Sequence, residues 1–163
     1  MNKTKERLEG LILIGLTART NNANETNPEK SKIAKLAGEY WSQQIGNQFK
    51  HRLNPGVTYS VYTDFESDEN GEYTYFVGEV VSTLEDQDLD KFKTVSLPAS
   101  AYMKFTTNPG SMPDVVIQAW QDIWKMSPSD FDGERSYVAD FEVYDKKASD
   151  PKNAIVDIYI GLK

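Results

Sequence analysis

The sequence contains no cysteine and a single histidine, His51, and these two shortages remove several classes of chemistry. Without cysteine there is no disulfide framework, no thiolate nucleophile and no zinc finger. With a single histidine, the sequence offers no convincing set of residues for a histidine-based zinc site or for a Ser-His-Asp triad. We therefore predict that the chain has no metal site, no cofactor and no catalytic triad, and the lack of cysteine fits a reducing compartment.

Long apolar runs are also missing. No stretch approaches the roughly 20 apolar residues that a membrane-spanning helix needs. The first ten residues, MNKTKERLEG, carry acids and lack the apolar core of a signal peptide. The sequence therefore predicts a cytoplasmic protein with no membrane partner, and its 163 residues suffice for one domain, over residues 1–163, with a sizeable core.

Negative charge dominates the chain and is unevenly spread. The net charge is −7, with +4 in residues 1–52 and −11 in residues 53–163. An acidic body repels phosphate backbones, so we expect no direct nucleic-acid partner. The same field attracts a cationic small molecule, although acidity also serves simply to keep a protein in solution.

A motif occurs twice along the chain. Ser60-Val61-Tyr62 stands against Glu142-Val143-Tyr144, and each segment leads through a turn to a second short apolar segment, Phe76-Val77-Gly78 or Tyr159-Ile160-Gly161. An apolar strand and an amphipathic helix precede each hairpin. This pattern predicts an α+β fold with a duplicated β-α-β-β module and pseudo-twofold symmetry. We expect an antiparallel sheet with two main helices on one side and a ligand cleft between the halves, which span residues 8–82 and 91–162 around an acidic linker, 84–91.

The individual elements follow from local signals. In the first half we predict a strand over 11–20, a helix over 27–50 that begins at Asn27-Pro28, and hairpin strands over 57–65 and 73–82 with a tight turn at Asn70-Gly71. In the second half we predict a strand over 92–107 broken by Pro98, a helix opened by a capping box at Ser111–Asp114, and hairpin strands over 135–145 and 154–162.

Alternation along the second hairpin divides its side chains between two faces. Phe141 and Val143 belong to an apolar face, which we expect to meet the helices. Glu142 and Tyr144 belong to the other face, and we expect Tyr159 of the last strand to join them. The equivalent face of the first hairpin holds Thr58, Ser60 and Tyr62.

Glu142 is the strongest candidate for a ligand-binding residue. A carboxylate in a partly dry, aromatic-walled cleft pairs with an organic cation while the rings add cation–π contacts. The alternative is a wet outer face of an ordinary strand. The aromatic residues on the helices have the spacing of a core stripe, and a cleft floor is the second reading for them: Tyr40, Trp41, Trp120 and Trp124.

Four segments together resemble the GyrI-like family of effector-binding domains, also known as the AraC-type or integron-associated effector-binding family. They are Tyr102–Thr106, the helix with Trp120–Trp124, Asp140–Asp145 and Asp157–Lys163. The resemblance implies the duplicated fold with a cleft between its halves. In transcription regulators of this family the domain follows a DNA-binding domain. Stand-alone versions exist as well, and this chain looks like one.

The resemblance also implies site residues. In multidrug-sensing members a glutamate on the penultimate strand meets cationic, aromatic drugs, and Glu142 falls on that position. Strand parity places Tyr144 and Tyr159 near it, with Tyr62 on the equivalent face. Trp41 and Trp120 are looser assignments from the helices that border the cleft. The chain departs from the family pattern at Thr107–Gly110 and at Ile160-Gly161.

These observations favour a protein that binds a small cationic or aromatic organic ligand in a cleft and acts as a sensor or sequestering module. One alternative, also suggested by the resemblance, is a small hydrolase that acts on electrophilic rings, with Glu142 and either Tyr144 or Tyr159 handling the proton. Another is a gyrase-inhibitor-like module that binds an unknown protein partner through an acidic surface.

Overall fold

The computed structural model describes residues 1–163 and contains eight β-strands and three α-helices. The strands are β1 (Asn2–Leu8), β2 (Leu11–Thr20), β3 (Thr58–Thr63), β4 (Tyr73–Val80), β5 (Lys93–Leu97), β6 (Ser100–Thr106), β7 (Arg135–Tyr144) and β8 (Asp157–Leu162). The helices are α1 (Asn22–Glu25), α2 (Ile33–Ser42) and α3 (Asp114–Trp124). None of these helices has the length and apolar character needed to cross a bilayer.

All eight strands form one antiparallel sheet in the order β1-β6-β8-β7-β3-β4-β2-β5. The order reads the same from either end when the two halves of the chain are exchanged, because β5-β2-β4-β3 corresponds to β1-β6-β8-β7. Each half thus contributes a β-α-β-β module, with α2 in the first and α3 in the second. The predicted α+β class, duplication and pseudo-twofold symmetry are confirmed.

The sheet is strongly curled. β1 and β2 are six places apart in the strand order, yet only Glu9 and Gly10 connect them. Six spacings of about 4.8 Å would separate these strands by roughly 29 Å in a flat sheet, whereas three peptide steps reach at most about 11 Å. Pro98 and Ala99 join β5 to β6 under the same constraint. The two ends of the sheet must therefore approach each other.

Curling gives the sheet an inner face and an outer face, and both are apolar. The inner face is lined by one cluster, which includes Leu13, Val61, Phe76, Tyr102 and Phe141. The outer face carries the helices, with one core cluster under α2 and another under α3. The expectation that the face of Phe141 meets the helices is wrong, because that face closes on the rest of the curled sheet instead.

Helix α2 is shorter than the sequence predicts. Asn27 lies in a turn, in which its side-chain oxygen accepts from the backbone N–H of Glu29 at 3.0 Å. The helix begins only at Ile33, whose N–H donates at 3.1 Å to the carboxylate of Glu25, and it ends just before Gln44, which is left-handed with φ 50°. The Glu25 carboxylate thus stabilises a helix start that contains no capping side chain of its own.

The predicted tight turn at Asn70-Gly71 lies within the connection of residues 64–72 between β3 and β4, where the N–H of Gly71 donates to the carbonyl of Asp68. The expectation of a capping box before α3 is wrong. The capping box forms at Ser127–Asp130, at the start of a short 3-10 turn, and not before α3. The break at Pro98 is confirmed, since it separates β5 from β6.

Candidate functional site

Glu142 lies next to the pseudo-twofold axis of the sheet. Strands β3 and β7 pair across the two halves, and their register sets Ser60 directly opposite Glu142. The repeat equates the same two residues, because Ser60-Val61-Tyr62 aligns with Glu142-Val143-Tyr144. A pair that is both equivalent and directly opposed must straddle the axis. The symmetry is therefore broken at its centre, where one half supplies a carboxylate and the other a hydroxyl.

Three side chains donate hydrogen bonds to this carboxylate. The hydroxyl of Tyr62 donates to Oε2 at 2.8 Å, and Nε1 of Trp120 donates to the same oxygen at 2.7 Å. The hydroxyl of Tyr144 donates to Oε1. The donors come from β3, α3 and β7, so the outer face of the sheet and helix α3 together hold the carboxylate in place. All three donors are neutral.

Two aromatic pairs flank the carboxylate. The rings of Trp41 and Tyr144 lie edge to face with centroids 5.7 Å apart, and those of Tyr62 and Trp120 do the same at 5.4 Å. Each helix thus contacts the tyrosine that belongs to the opposite half of the chain. Trp120 is half-buried, whereas 46% of Trp41 is exposed to solvent. Helix α2, which carries Trp41, therefore forms the outer, more accessible wall of the site.

The electrostatics of the site follow from its burial. Only 2% of Glu142 is exposed, and this burial raises its pKa, although the hydrogen bonds from Tyr144, Trp120 and Tyr62 act in the opposite direction. Burial and the nearby Glu142 charge also hold the pKa values of Tyr62 and Tyr144 well above their usual value. Both phenols therefore stay protonated and remain donors at neutral pH.

Glu142 differs from every other buried carboxylate in the chain in having no cationic partner. Such a partner is the usual requirement for burying a charge. The other three pairs are Glu79 with Arg52 at 3.2 Å, Asp140 with Arg135 at 2.7 Å, and Asp157 with Lys147 at 2.9 Å.

Five of the six side chains that the sequence singles out come together here: Glu142, Tyr144, Tyr62, Trp120 and Trp41. Tyr159 does not. The register of β7 and β8 pairs Glu142 with Ile158 and Phe141 with Tyr159, and the last two rings stack on the inner face at 4.7 Å. The predicted proximity of Tyr159 to Glu142 is therefore wrong, because parity along one strand does not carry over to its neighbour without the register.

Tyr75 also lies beside the site, and it is not among the residues that the sequence assigns there. Its hydroxyl shares a hydrogen bond of 2.9 Å with Oγ of Ser60, and its ring centroid lies 5.5 Å from that of Tyr62. The available signal was the pairing of the first hairpin, which sets Tyr75 opposite Tyr62. With this bond the hydroxyl that stands opposite Glu142 is already engaged within the first half.

Glu142 is almost completely enclosed by its neighbours, since only 2% of it is exposed. Two surface depressions, of about 490 and 330 Å³, lie beside Tyr137 and at the start of α3, and neither is lined by Glu142. A ligand that reaches the carboxylate must therefore move a neighbouring side chain, and Trp41 is the aromatic neighbour that makes no hydrogen bond to Glu142. No group of three or more His, Asp or Glu side chains is placed to share a metal ion.

Comparisons with known proteins identify the family of the chain. A family model described as "Integron-associated effector binding protein" matches residues 6–162. YobU of Bacillus subtilis (strain 168), named as a candidate transcriptional regulator, is 32% identical over 149 residues, which cover 91% of this chain and 90% of YobU.

Solved structures share the fold over its whole length. The integron cassette protein VCH_CASS2 of Vibrio cholerae superposes with a TM-score of 0.78 at 25% identity, over 99% of this chain and 95% of that chain. SAV2435, solved with bound tetraphenylphosphonium, superposes with a TM-score of 0.77 over 100% of this chain and 94% of that chain, and at 18% identity the likeness is one of fold. On the match of the family model and the identity to YobU, the chain belongs to the integron-associated effector-binding protein family, within the GyrI-like superfamily.

Proposed function

We propose that the protein binds a small organic cation between α2 and α3, with Glu142 supplying the charge, and that it acts as a sensor or sequestering module. The observation that carries this proposal is the buried carboxylate without a cationic partner. An isolated buried charge costs several kcal/mol, and neutral donors offset only part of that cost. A bound cation supplies the missing countercharge.

The surrounding rings favour an organic cation over a hydrated metal ion. Aromatic rings flank the carboxylate on two sides, with Trp41 and Tyr144 on one side and Tyr62 and Trp120 on the other. An aromatic face attracts a cation within about 6 Å by about 0.5–2 kcal/mol, and more strongly where water is excluded. The net charge of −7 adds a long-range attraction for the same kind of ligand.

Two probes of equal shape and opposite charge test the role of Glu142. Tetraphenylphosphonium, the cation bound by SAV2435, is matched by the tetraphenylborate anion. We expect the cation to bind and the anion to bind much more weakly. In Glu142→Gln the affinity for the cation falls by about tenfold or more, since a charge-assisted contact contributes about 1.5–3 kcal/mol. Calorimetric titration at one fixed salt concentration gives both affinities.

The matched control is Glu134→Gln. This change also removes one negative charge, but Glu134 is an exposed residue whose partner is Lys163, outside the site. We expect the control to bind tetraphenylphosphonium as the wild type does. Equal losses in the two variants would show that net charge alone attracts the cation, and unchanged binding in Glu142→Gln would contradict the proposed site.

A small hydrolase is the second candidate, and it rests on the contact of Glu142 with two protonated tyrosines. The carboxylate would take a proton from an attacking water while a tyrosine gives its proton to the oxygen of an opening epoxide ring. Mass spectrometry of styrene oxide incubated with the protein tests this idea. A diol that forms with the wild type but not with Glu142→Gln supports hydrolysis, and diol formation at the background rate with both contradicts it.

A further inference from the structure

Acceptors for hydrogen bonds are scarce in the site around Glu142. An ionised carboxylate offers about four lone-pair positions. Tyr62, Trp120 and Tyr144 already occupy three of them, and the indole of Trp120 can only donate. The carboxylate therefore offers a full negative charge but only about one free acceptor position.

The groups next to the carboxylate do not supply further hydrogen-bond acceptors. Oγ of Ser60 and the hydroxyl of Tyr75 are paired with each other at 2.9 Å, and both residues are buried, so a ligand does not reach them. The backbone beneath the site belongs to β3 and β7, each of which is paired with a strand on both sides, so the sheet ladder engages its carbonyl groups. Apart from the phenol oxygens of Tyr62 and Tyr144, the site offers charge and aromatic surface with almost no accessible acceptor.

We infer that the site, if it binds cations as proposed above, selects those whose charged centre carries no N–H group. Quaternary ammonium and phosphonium ions carry charge without donors, whereas a primary ammonium brings three donors and a guanidinium five. Every N–H that moves from water to a place without an acceptor weakens binding. Protonated amines of equal size and shape are therefore disfavoured.

The position of the carboxylate also sets the shape of the preferred ligand. Glu142 lies next to the pseudo-twofold axis, with the Trp41–Tyr144 pair on one side and the Tyr62–Trp120 pair on the other. A cation over the axis has an aromatic pair on each side of it. The best ligand has a central charge with one apolar, aromatic group on either side.

Dibenzyldimethylammonium and dibenzylammonium form a matched pair for the test. Both are cations at about pH 7 and both have two aromatic arms, but the first carries two N-methyl groups where the second carries two N–H groups. We expect calorimetric titration to show the dimethyl compound binding about tenfold or more tightly. Benzyltrimethylammonium, which has only one arm, binds more weakly than dibenzyldimethylammonium.

The outcomes separate the two levels of the proposal. If neither dibenzyl cation binds, and tetraphenylphosphonium does not bind either, the proposed function fails. If both dibenzyl cations bind with equal affinity, or the N–H compound binds more tightly, the selection for donor-free cations is overturned while cation binding stands. Equal affinity for the one-armed and two-armed compounds overturns the preferred shape.

Variants then test the cause of the selection. Tyr144→Phe removes the donor to Oε1 and frees an acceptor position, so the ratio of the two dibenzyl affinities falls by several fold. Tyr62→Phe does the same at Oε2 and replaces the first variant if that one does not fold. In the control, Tyr137→Phe, the lost hydroxyl bonds Glu69 outside the site, and the ratio stays at its wild-type value. An unchanged ratio in a folded Tyr144→Phe or Tyr62→Phe protein overturns the inference.

Discussion

Tyr62 and Tyr144, which the internal repeat relates to each other, donate hydrogen bonds to different oxygens of one carboxylate. Each half of the chain thus supplies one tyrosine, but only the second half supplies the acceptor, Glu142. Each tyrosine also packs against a tryptophan of the other half, Tyr144 against Trp41 and Tyr62 against Trp120. The site therefore belongs to the whole sheet, and neither half contains it alone.

The first prediction concerns stability against pH. Burial raises the pKa of Glu142 above its ordinary 4.5, so between these two values the folded protein binds more protons than the unfolded chain. Stability from this group then falls as the pH rises through that window. We expect Glu142→Gln to gain stability relative to the wild type above the raised pKa, and this gain to shrink as the pH is lowered towards 4.5. Urea denaturation at a series of pH values measures it.

Asp157→Asn provides the opposite case. Burial acts to raise the pKa of Asp157, but its bonds with Lys147 and Thr106 outweigh burial and lower it. The stability that this carboxylate contributes is present above its ordinary pKa of 3.8 and is lost as the pH falls below that value. A difference between Glu142→Gln and the wild type that stays constant over the whole pH series would contradict the raised pKa of Glu142.

The second prediction concerns the buried pair of Arg52 and Glu79. Arg52→Met leaves the Glu79 carboxylate buried with only the N–H of Gly56 as a donor, so we expect the free energy of unfolding to fall by about 3 kcal/mol. Adding Glu79→Leu should restore much of the loss, because the unpaired charge is gone. The control is Lys163→Met, which breaks an exposed pair and changes the free energy of unfolding by less than about 0.5 kcal/mol. Equal effects of Arg52→Met and Lys163→Met on unfolding in urea would show that burial does not set the strength of these pairs.

The third prediction concerns two glycines. Gly78 faces Gly15 across β2 and β4, and a methyl group on Gly78 would overlap the carbonyl oxygen of Ile14. Gly78→Ala therefore lowers the free energy of unfolding by about 3 kcal/mol or more. A methyl group on Gly38, in the middle of α2, meets no atom within 4 Å, so Gly38→Ala raises the free energy of unfolding by about 0.5–1 kcal/mol. Thermal melts of the two variants should move in opposite directions, and a shared direction would contradict the close packing of β2 on β4.

The face on which a side chain lies within one strand can be predicted from the sequence, whereas its neighbours on the adjacent strand cannot. Alternation alone places Glu142 and Tyr144 on one face and Phe141 on the other, because side chains in a strand alternate without exception in regular pairing. It does not say which face the helices cover. In a sheet this curled both faces are buried, so Phe141 and Ile158 have equally apolar surroundings on opposite sides.

The position of Tyr159 and the existence of β1 could not be predicted for two different reasons. The Tyr159 assignment needed the register between β7 and β8, which depends on a long-range contact and not on spacing in the sequence. Strand β1 escaped prediction because its side chains are mostly charged and exposed at the edge of the sheet, so it lacks the alternation by which strands are found. The limits of the half-repeats at residues 8–82 and 91–162 stay a prediction.

The placement of the edge strands restricts how this molecule can respond to a ligand. β1 precedes the first module but is hydrogen-bonded to β6 of the second, and β5 precedes the second module but is hydrogen-bonded to β2 of the first. Each half thus pairs with an edge strand from the other half, in addition to the pairing of β3 with β7 between the halves. A hinge motion that pulls the halves apart would break three strand ladders at once. If a ligand binds at Glu142 as proposed, we expect its entry to depend on movement of α2 or α3 over the sheet. Only Tyr40 of α2 is buried, compared with Val116, Ala119 and Ile123 of α3, so α2 has the smaller buried face.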